Sequence, residues 1–221
     1  MNRPFDLIVF DWDGTLMDSA RKIVRCFQAA AADLGLPVPT EDRVRHIIGL
    51  GLNEALAELL PETDADTRQR VAERYREHFL FLDETEMPLF PGVREGLEGL
   101  AAAGFRMAIA TGKARRGLDR VLRDTRTSVY FCSTRCADEA GSKPHPRMLY
   151  DILAHTGVMP ERAVMVGDTT YDLEMAKAAS LSSIAVSYGA HDRARLLNHD
   201  PLACLDTFSE VCAWLRPPRR T

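Results

Sequence analysis

LIVFDWDGTLMDS (7–19) decides how the rest of the chain is read. Four apolar residues end abruptly in two acids, Asp11 and Asp13, with Trp12 between them and Gly14 behind. The apolar run does not alternate with polar residues, which suits a strand covered on both faces. Two carboxylates one residue apart repel, and each raises the cost of ionising the other. A cation, a proton or a functional demand has to offset that, unless the pair is simply solvated.

Runs of the same kind recur at FRMAIA (105–110), AVMV (163–166) and SIAV (183–186), with VYFC (129–132) as a fifth strand candidate. Helical patterns lie between them: GVREGLEGLAAAG (92–104), ARRGLDRVLRD (114–124), PRMLYDILAHTG (146–157) and YDLEMAKAAS (171–180). The third ends in a glycine, a common helix stop. Strand and helix in alternation predict an α/β, doubly wound parallel sheet of Rossmann-like type.

The interval from Thr15 to about Phe90 breaks that alternation. ARKIVRCFQAAAADLG (20–35) places Ile23, Val24, Phe27, Ala30, Ala31 and Leu34 at helical spacing, and EDRVRHIIG (41–49), NEALAELL (53–60) and DADTRQRVAERYREHFLFL (64–82) read as helices too. The expectation is an all-helical domain over 16–87 inserted in an α/β core of 1–15 and 88–221, with the turn-rich MPLFPGV (87–93) marking the return.

Composition narrows the function classes. With 221 residues, 46% hydrophobic and 27% charged, and a net charge of −4 of mixed sign, the chain has no electrostatic footprint for nucleic acid. The basic end RPPRRT (216–221) is too short to change this and reads as a solvated terminus. No apolar run approaches the roughly 20 residues needed to cross a bilayer, so no membrane partner is expected. The five cysteines are scattered apart from Cys132 and Cys136, whose CxxxC spacing lacks a zinc-site companion pair. Reduced thiols and a cytoplasmic location are expected.

In an open parallel sheet, ligands bind beyond the carboxyl ends of the strands. After LIVF come Asp11, Asp13, Gly14 and Thr15; after FRMAIA come Thr111, Gly112 and Lys113; after AVMV come Gly167, Asp168, Thr169 and Thr170, then Asp172. Each alone reads as a turn or a helix cap. Three strands delivering acids, and a hydroxyl beside a glycine, to one edge make coincidence a poor account. Asp11, Asp13, Asp168 and Asp172 would form an oxygen-rich crevice suited to Mg²⁺ with a phosphate oxygen and water. Lys143, in the loop GSKPHP (141–146), which Pro144 and Pro146 fix on either side of His145, is placed to offset more of that charge.

DWDGTLMDS, ATGK, KPHP and GDTTYD, in that order, resemble the four ordered motifs of the haloacid dehalogenase superfamily. The helical insertion resembles that superfamily's small cap, and the chain is most similar to the phosphoglycolate-phosphatase-like branch from about Phe5 to Leu215. The resemblance implies that Asp11 attacks phosphorus and forms an aspartyl-phosphate. It implies that Asp13 protonates the leaving oxygen and then activates water. Thr111 and the Gly112 N–H would bind the phosphoryl group, and Lys143 would bridge it to the nucleophile. Asp168 would bind Mg²⁺ with Asp11 and the Asp13 backbone carbonyl, Asp172 supporting. The acid at Asp13 favours ester hydrolysis over dehalogenation, which needs no protonated leaving oxygen. Gly14 permits a tight turn, and Thr15 is expected to orient Asp13. Lys113 either adds positive charge at the crevice mouth or is a helix-start lysine facing water, and the second reading is preferred.

A closing cap excludes water from the intermediate and suits small substrates. The loop IIGLGL (47–52), with Gly49, is the candidate substrate-facing segment. Arg45 and His46 precede it as candidate contacts for an anionic group, although a solvated Arg45 and a partly packed His46 suit the charged run EDRVRH better. The expected activity is Mg²⁺-dependent hydrolysis of a small phosphorylated metabolite, phosphoglycolate favoured by resemblance. Alternatives are a sugar or nucleotide phosphatase, a sugar-phosphate mutase, or, from another class, a non-catalytic phosphate-binding protein. The sequence chooses neither monomer nor homodimer.

Overall fold

The computed structural model describes residues 4–216. The basic end beyond Arg216 lies outside the described residues. LIVF forms the central strand β1 (Leu7–Phe10), all four residues buried. It pairs in parallel with β2 (Arg106–Thr111) on one side and β4 (Ala163–Gly167) on the other. β3 (Ser133–Cys136), β5 (Ser182–Val186) and β6 (Cys204–Leu205) complete a six-stranded parallel sheet of order β3-β2-β1-β4-β5-β6.

Alternate residues of each strand point to opposite faces. Ile8, Phe10, Val164 and Val166 pack on one side with Val93, Leu97 and Leu100 of α5 (Val93–Ala102) and Phe208 and Val211 of α11 (Phe208–Leu215). Leu7, Val9, Ala163 and Met165 pack on the other with Met148, Leu149 and Ile152 of α8 (Arg147–Thr156) and Met175 and Ala176 of α9 (Thr170–Ala178). Both faces are covered, so the strands need no polar side, and the doubly wound architecture is as expected.

Two details differ from the sequence reading. VYFC is not a strand: Ser128–Tyr130 is a single 3₁₀ turn with Val129 81% exposed, and the strand starts one residue after Cys132. Its residues, STRC, are polar because β3 is an edge, so no apolar run marks it. The helical stretch 64–82 divides into α4 (Ala65–Glu77) and a wider π turn, His78–Leu82.

The residues between β1 and α5 form α1 (Ala20–Asp33), α2 (Glu41–Ile47), α3 (Leu52–Leu59) and α4, around a separate cluster of Val24, Phe27, Val44, Leu56 and Val71. The chain leaves and re-enters the core side by side. Asp18 N–H donates to Pro88 O at 2.8 Å, and Phe90 N–H donates to Leu16 O at 3.0 Å.

Candidate active site

The strand order turns around between β1 and β4, and at such a switch point the loops after neighbouring strands part into a crevice. Asp11 follows β1 and Asp168 follows β4. Trp12, between the two acids of the opening stretch, turns into the core and donates to Met17 Sδ. Gly14 takes φ +83°, and a Cβ there would lie 2.1 Å from Asp168 Oδ2. Both its conformation and its space call for glycine.

Lys143 lies at the centre, its side chain 0% exposed. Its Nζ is 2.7 Å from Asp11 Oδ1 and 2.6 Å from Asp172 Oδ1. Burial opposes its charge, but Asp11 and Asp172 together hold its pKa above the usual lysine value. Burial also pushes Asp11 well above the usual carboxylate range; Lys143 pulls it down, while Asp172 and Asp168 push it further up. Asp168 is raised to about 7, by burial first and by Asp172 next, against the hydrogen bonds it accepts. Those come from the Thr15 hydroxyl at 2.8 Å and the Ala190 N–H at 2.7 Å. Asp172 Oδ2 accepts from the Thr169 N–H and hydroxyl at 3.1 and 2.7 Å, capping α9 as it holds the site.

Asp11, Asp168 and Asp172 each offer one oxygen within 4.8 Å of the others. Asp11 Oδ2 is fully buried and accepts no hydrogen bond. A buried carboxylate oxygen without a donor is costly, and the three acids together are a hard, oxygen-only donor set. That set fits a divalent cation such as Mg²⁺.

Asp13 stands outside this trio. Its Oδ1 accepts from Ser19 Oγ at 2.6 Å, and Lys113 Nζ lies 2.9 Å from both of its oxygens. Two expectations are thereby corrected. Thr15 orients Asp168, and Ser19 takes the place assigned to it beside Asp13. Lys113 does not face water: its side chain is 9% exposed and paired with Asp13. Residue 113 is far from residue 13 in the chain, and only the β1–β2 pairing brings them together.

Thr111 is buried at the end of β2, and its hydroxyl accepts from the Lys113 N–H at 3.2 Å. The loop 47–52 lies over this point. A Cβ on Gly112 would be 2.4 Å from Gly49 O and 2.5 Å from Leu50 O, and Gly49 itself packs on Thr169. Gly51 N–H donates to Ser142 Oγ at 2.8 Å. Arg45 pairs with Glu41 on its own helix at 2.8 Å and stays partly exposed. His46 packs against His191 and Tyr171, whose hydroxyl donates to His46 O at 3.0 Å. The sequence reading missed Ser19, Ala190 and His191; nothing in their local sequence marks them.

A family model described as haloacid dehalogenase-like hydrolase matches residues 8–186, a span that holds Asp11, Asp13, Thr111, Lys143, Asp168 and Asp172. The chain belongs to the haloacid dehalogenase-like hydrolase family. It is 36% identical over 211 residues to "Probable phosphatase IndB" of Dickeya dadantii, covering 93% of this chain and 91% of that one. It is 30% identical over 212 residues to a phosphoglycolate phosphatase of Nitrosococcus oceani, covering 93% and 94%. Among solved structures, a haloacid dehalogenase-like family hydrolase from Streptococcus pneumoniae superposes with a TM-score of 0.84 at 25% identity, covering 96% of this chain and 98% of that one. The cysteines of this family member are unpaired, four buried and Cys132 exposed. No helix among the described residues is long and apolar enough to cross a membrane.

Proposed function

We propose that the chain is a Mg²⁺-dependent phosphatase acting on a small phosphorylated metabolite, phosphoglycolate-like, through an aspartyl-phosphate on Asp11. One observation carries this reading: Asp11 Oδ1 is fixed by the buried Lys143, Asp11 Oδ2 has no protein donor, and Asp11 is grouped with Asp168 and Asp172. Phosphoryl transfer asks mainly for positioning and charge neutralisation, and the site supplies both. The names of the relatives from Dickeya dadantii and Nitrosococcus oceani support the phosphatase reading.

Asp11, Asp168 and the Asp13 carbonyl would hold Mg²⁺, with Asp172 in support. When bound, the ion cancels two negative charges and polarises a phosphoryl oxygen. A carboxylate oxygen of Asp11 attacks phosphorus, and the phosphorus–ester oxygen bond breaks. The leaving oxygen takes its proton from Asp13, and the alcohol departs. A water then gives a proton to Asp13 and attacks phosphorus. The bond from phosphorus to Asp11 breaks, releasing inorganic phosphate and restoring the carboxylate. Thr111 and the Gly112 N–H hold the phosphoryl oxygens, and Lys143 balances the charge that builds between them and Asp11. The helical unit 16–87 acts as the cap, its loop 47–52 seated on Gly112. A protein that only binds phosphate has no use for Asp13 beside an intact Asp11, Thr111, Lys143 and Asp168. Unpaired, mostly buried thiols support a reducing, cytoplasmic location.

The test is phosphate release from a panel of phosphoglycolate, sugar phosphates and nucleoside monophosphates, with and without Mg²⁺. The wild type should release phosphate only with the metal, and Asp11→Asn should release none. Activity in Asp11→Asn equal to the wild type would overturn the proposal.

A further inference from the structure

Asp11 and Thr111 are each 1% exposed and Lys143 is 2% exposed, so a phosphate ester reaches them only after the helical unit 16–87 lifts off the crevice. Two polar ties to the core converge on one backbone atom of that unit. His46 lies in the last turn of α2, where carbonyls lack a donor within the helix. The Ile48 N–H returns to Arg45 O and the Leu50 N–H to Ile47 O, so neither takes the His46 carbonyl. Its donors come from the core instead: the Tyr171 hydroxyl at 3.0 Å and His191 Nε2 at 3.0 Å.

Each donor is fixed by its own surroundings. The buried His191 ring accepts the Thr170 N–H on Nδ1 at 3.0 Å. A neutral imidazole with Nδ1 as acceptor carries its proton on Nε2, so the ring aims a donor at His46 O. The His191 backbone N–H donates to Asp168 O at 3.3 Å, which fixes the loop that carries the ring. Tyr171 stands in the first turn of α9, between Thr170 and Asp172. The rings pack together: His46 stacks on His191 with centroids 5.8 Å apart, and Tyr171 meets His191 edge-on at 5.5 Å. Arg195, of α10 (Arg193–Leu197), donates to His46 Nδ1. The core side of the tie is thus built against the segment that carries Asp168 and Asp172. The other side is a single carbonyl just ahead of the loop 47–52.

A neutral hydrogen bond of this kind is worth only about 2–10-fold in an equilibrium, because water replaces the partner when it breaks. Two of them on one carbonyl bias the unit toward closure and still let it open, as a cap must at every turnover. Resting on the reading of 16–87 as the cap of a phosphatase, we propose that Tyr171 and His191 are the latch of that cap. They grip the His46 carbonyl while the crevice is closed and release it to water when the unit lifts. Both are positioning residues: they set how often the crevice opens, through the seat of the loop 47–52, and take no part in the chemistry of the acids.

The Gly51 N–H, which donates across the same seam to Ser142 Oγ at 2.8 Å, reports on opening. Its hydrogen exchange is followed by NMR beside that of the β1 amides, in low urea, for the wild type, Tyr171→Phe, His191→Asn and His191→Gln. Asparagine offers an acceptor near the place of Nδ1 but stops short of His46 O, whereas glutamine carries an N–H donor about as far out as Nε2. Tyr171→Phe and His191→Asn should each speed Gly51 exchange by about 2–10-fold, and His191→Gln should stay near the wild type. Gly51 exchange should depend on urea far less steeply than β1 exchange, the mark of a lifting unit rather than an unfolding chain. In turnover of phosphoglycolate with Mg²⁺, the first two variants should raise KM and hold kcat, because closing is weakened and the closed complex is not. Gly51 exchange in Tyr171→Phe and His191→Asn equal to the wild type overturns the latch. So does Gly51 exchange that tracks β1 in urea, a His191→Gln no better than His191→Asn, or a kcat that falls at unchanged KM. A wild type that releases phosphate from no ester overturns the phosphatase reading alone, since exchange at Gly51 still decides the latch.

Discussion

Replacing Lys143 by methionine tests the charge balance of the site. The wild-type ammonium is 2.7 Å from Asp11 and 2.6 Å from Asp172, with all three side chains at most 1% exposed. At an effective dielectric of about 20, each contact is a gross attraction of about 6 kcal/mol, much of it offset by the cost of burying the charges. Removing one partner of such a pair typically costs about 3–5 kcal/mol, because the other charge stays behind unpaired. Here two carboxylates stay behind, with Asp168 beside them, so the upper part of that range is expected for metal-free protein near pH 8. The pH dependence has a definite sign. Asp11 is already raised well above its ordinary value and Asp168 to about 7, and losing Lys143 raises Asp11 further. The folded state then binds protons that the unfolded state, with carboxyl values near about 4, does not. Stability of the variant should fall as pH rises through that window and recover toward pH 5. Urea unfolding followed by tryptophan fluorescence at pH 5 and pH 8, with and without Mg²⁺, measures this. A loss below about 1 kcal/mol at pH 8 without metal, or a loss equal at both pH values, would refute the reasoning, since removing a buried partner should cost several-fold more.

Thr15→Val removes the hydroxyl that Asp168 Oδ1 accepts from at 2.8 Å. Groups that orient a metal ligand typically matter by about 10–100-fold in metal affinity, so the Mg²⁺ concentration for half-maximal activity should rise by about that factor. Gly112→Ala puts a Cβ 2.4 Å from Gly49 O, and overpacking of this kind costs roughly 1–3 kcal/mol. Hydrogen exchange should speed up in 47–52, and kcat/KM should fall. Because burial and Asp172 raise Asp168 to about 7, protons should compete with the proposed cation there, and calorimetric Mg²⁺ affinity should weaken as pH falls from 8 to 6. An affinity that strengthens on acidification would contradict the assignment of Asp168.

The elements most legible in the sequence are those whose burial leaves a local pattern. LIVF and AVMV are covered on both faces and so are apolar throughout. α1 and α4 bury one side of a helix and show it in their spacing. β3 was hidden because an edge strand tolerates Ser133, Thr134 and Arg135, while neighbouring VYFC carries more β propensity than its exposed position uses. At the site, the acids, Thr111 and Lys143 were legible because they follow strands that end on one edge. The partners were not. That Thr15 serves Asp168, that Ser19 serves Asp13, and that Lys113 reaches back across the sheet are consequences of strand order, which local sequence does not encode.

The central claim is that Asp11 becomes phosphorylated during turnover. The most direct measurement is rapid acid quench of the Mg²⁺-loaded enzyme mixed with phosphoglycolate, followed by peptide mass spectrometry. The account predicts a peptide containing Asp11 heavier by one phosphoryl group, transient in the wild type and absent in Asp11→Asn. Turnover with no phosphorylated peptide at any quench time, or the phosphoryl group on a different residue, would contradict it.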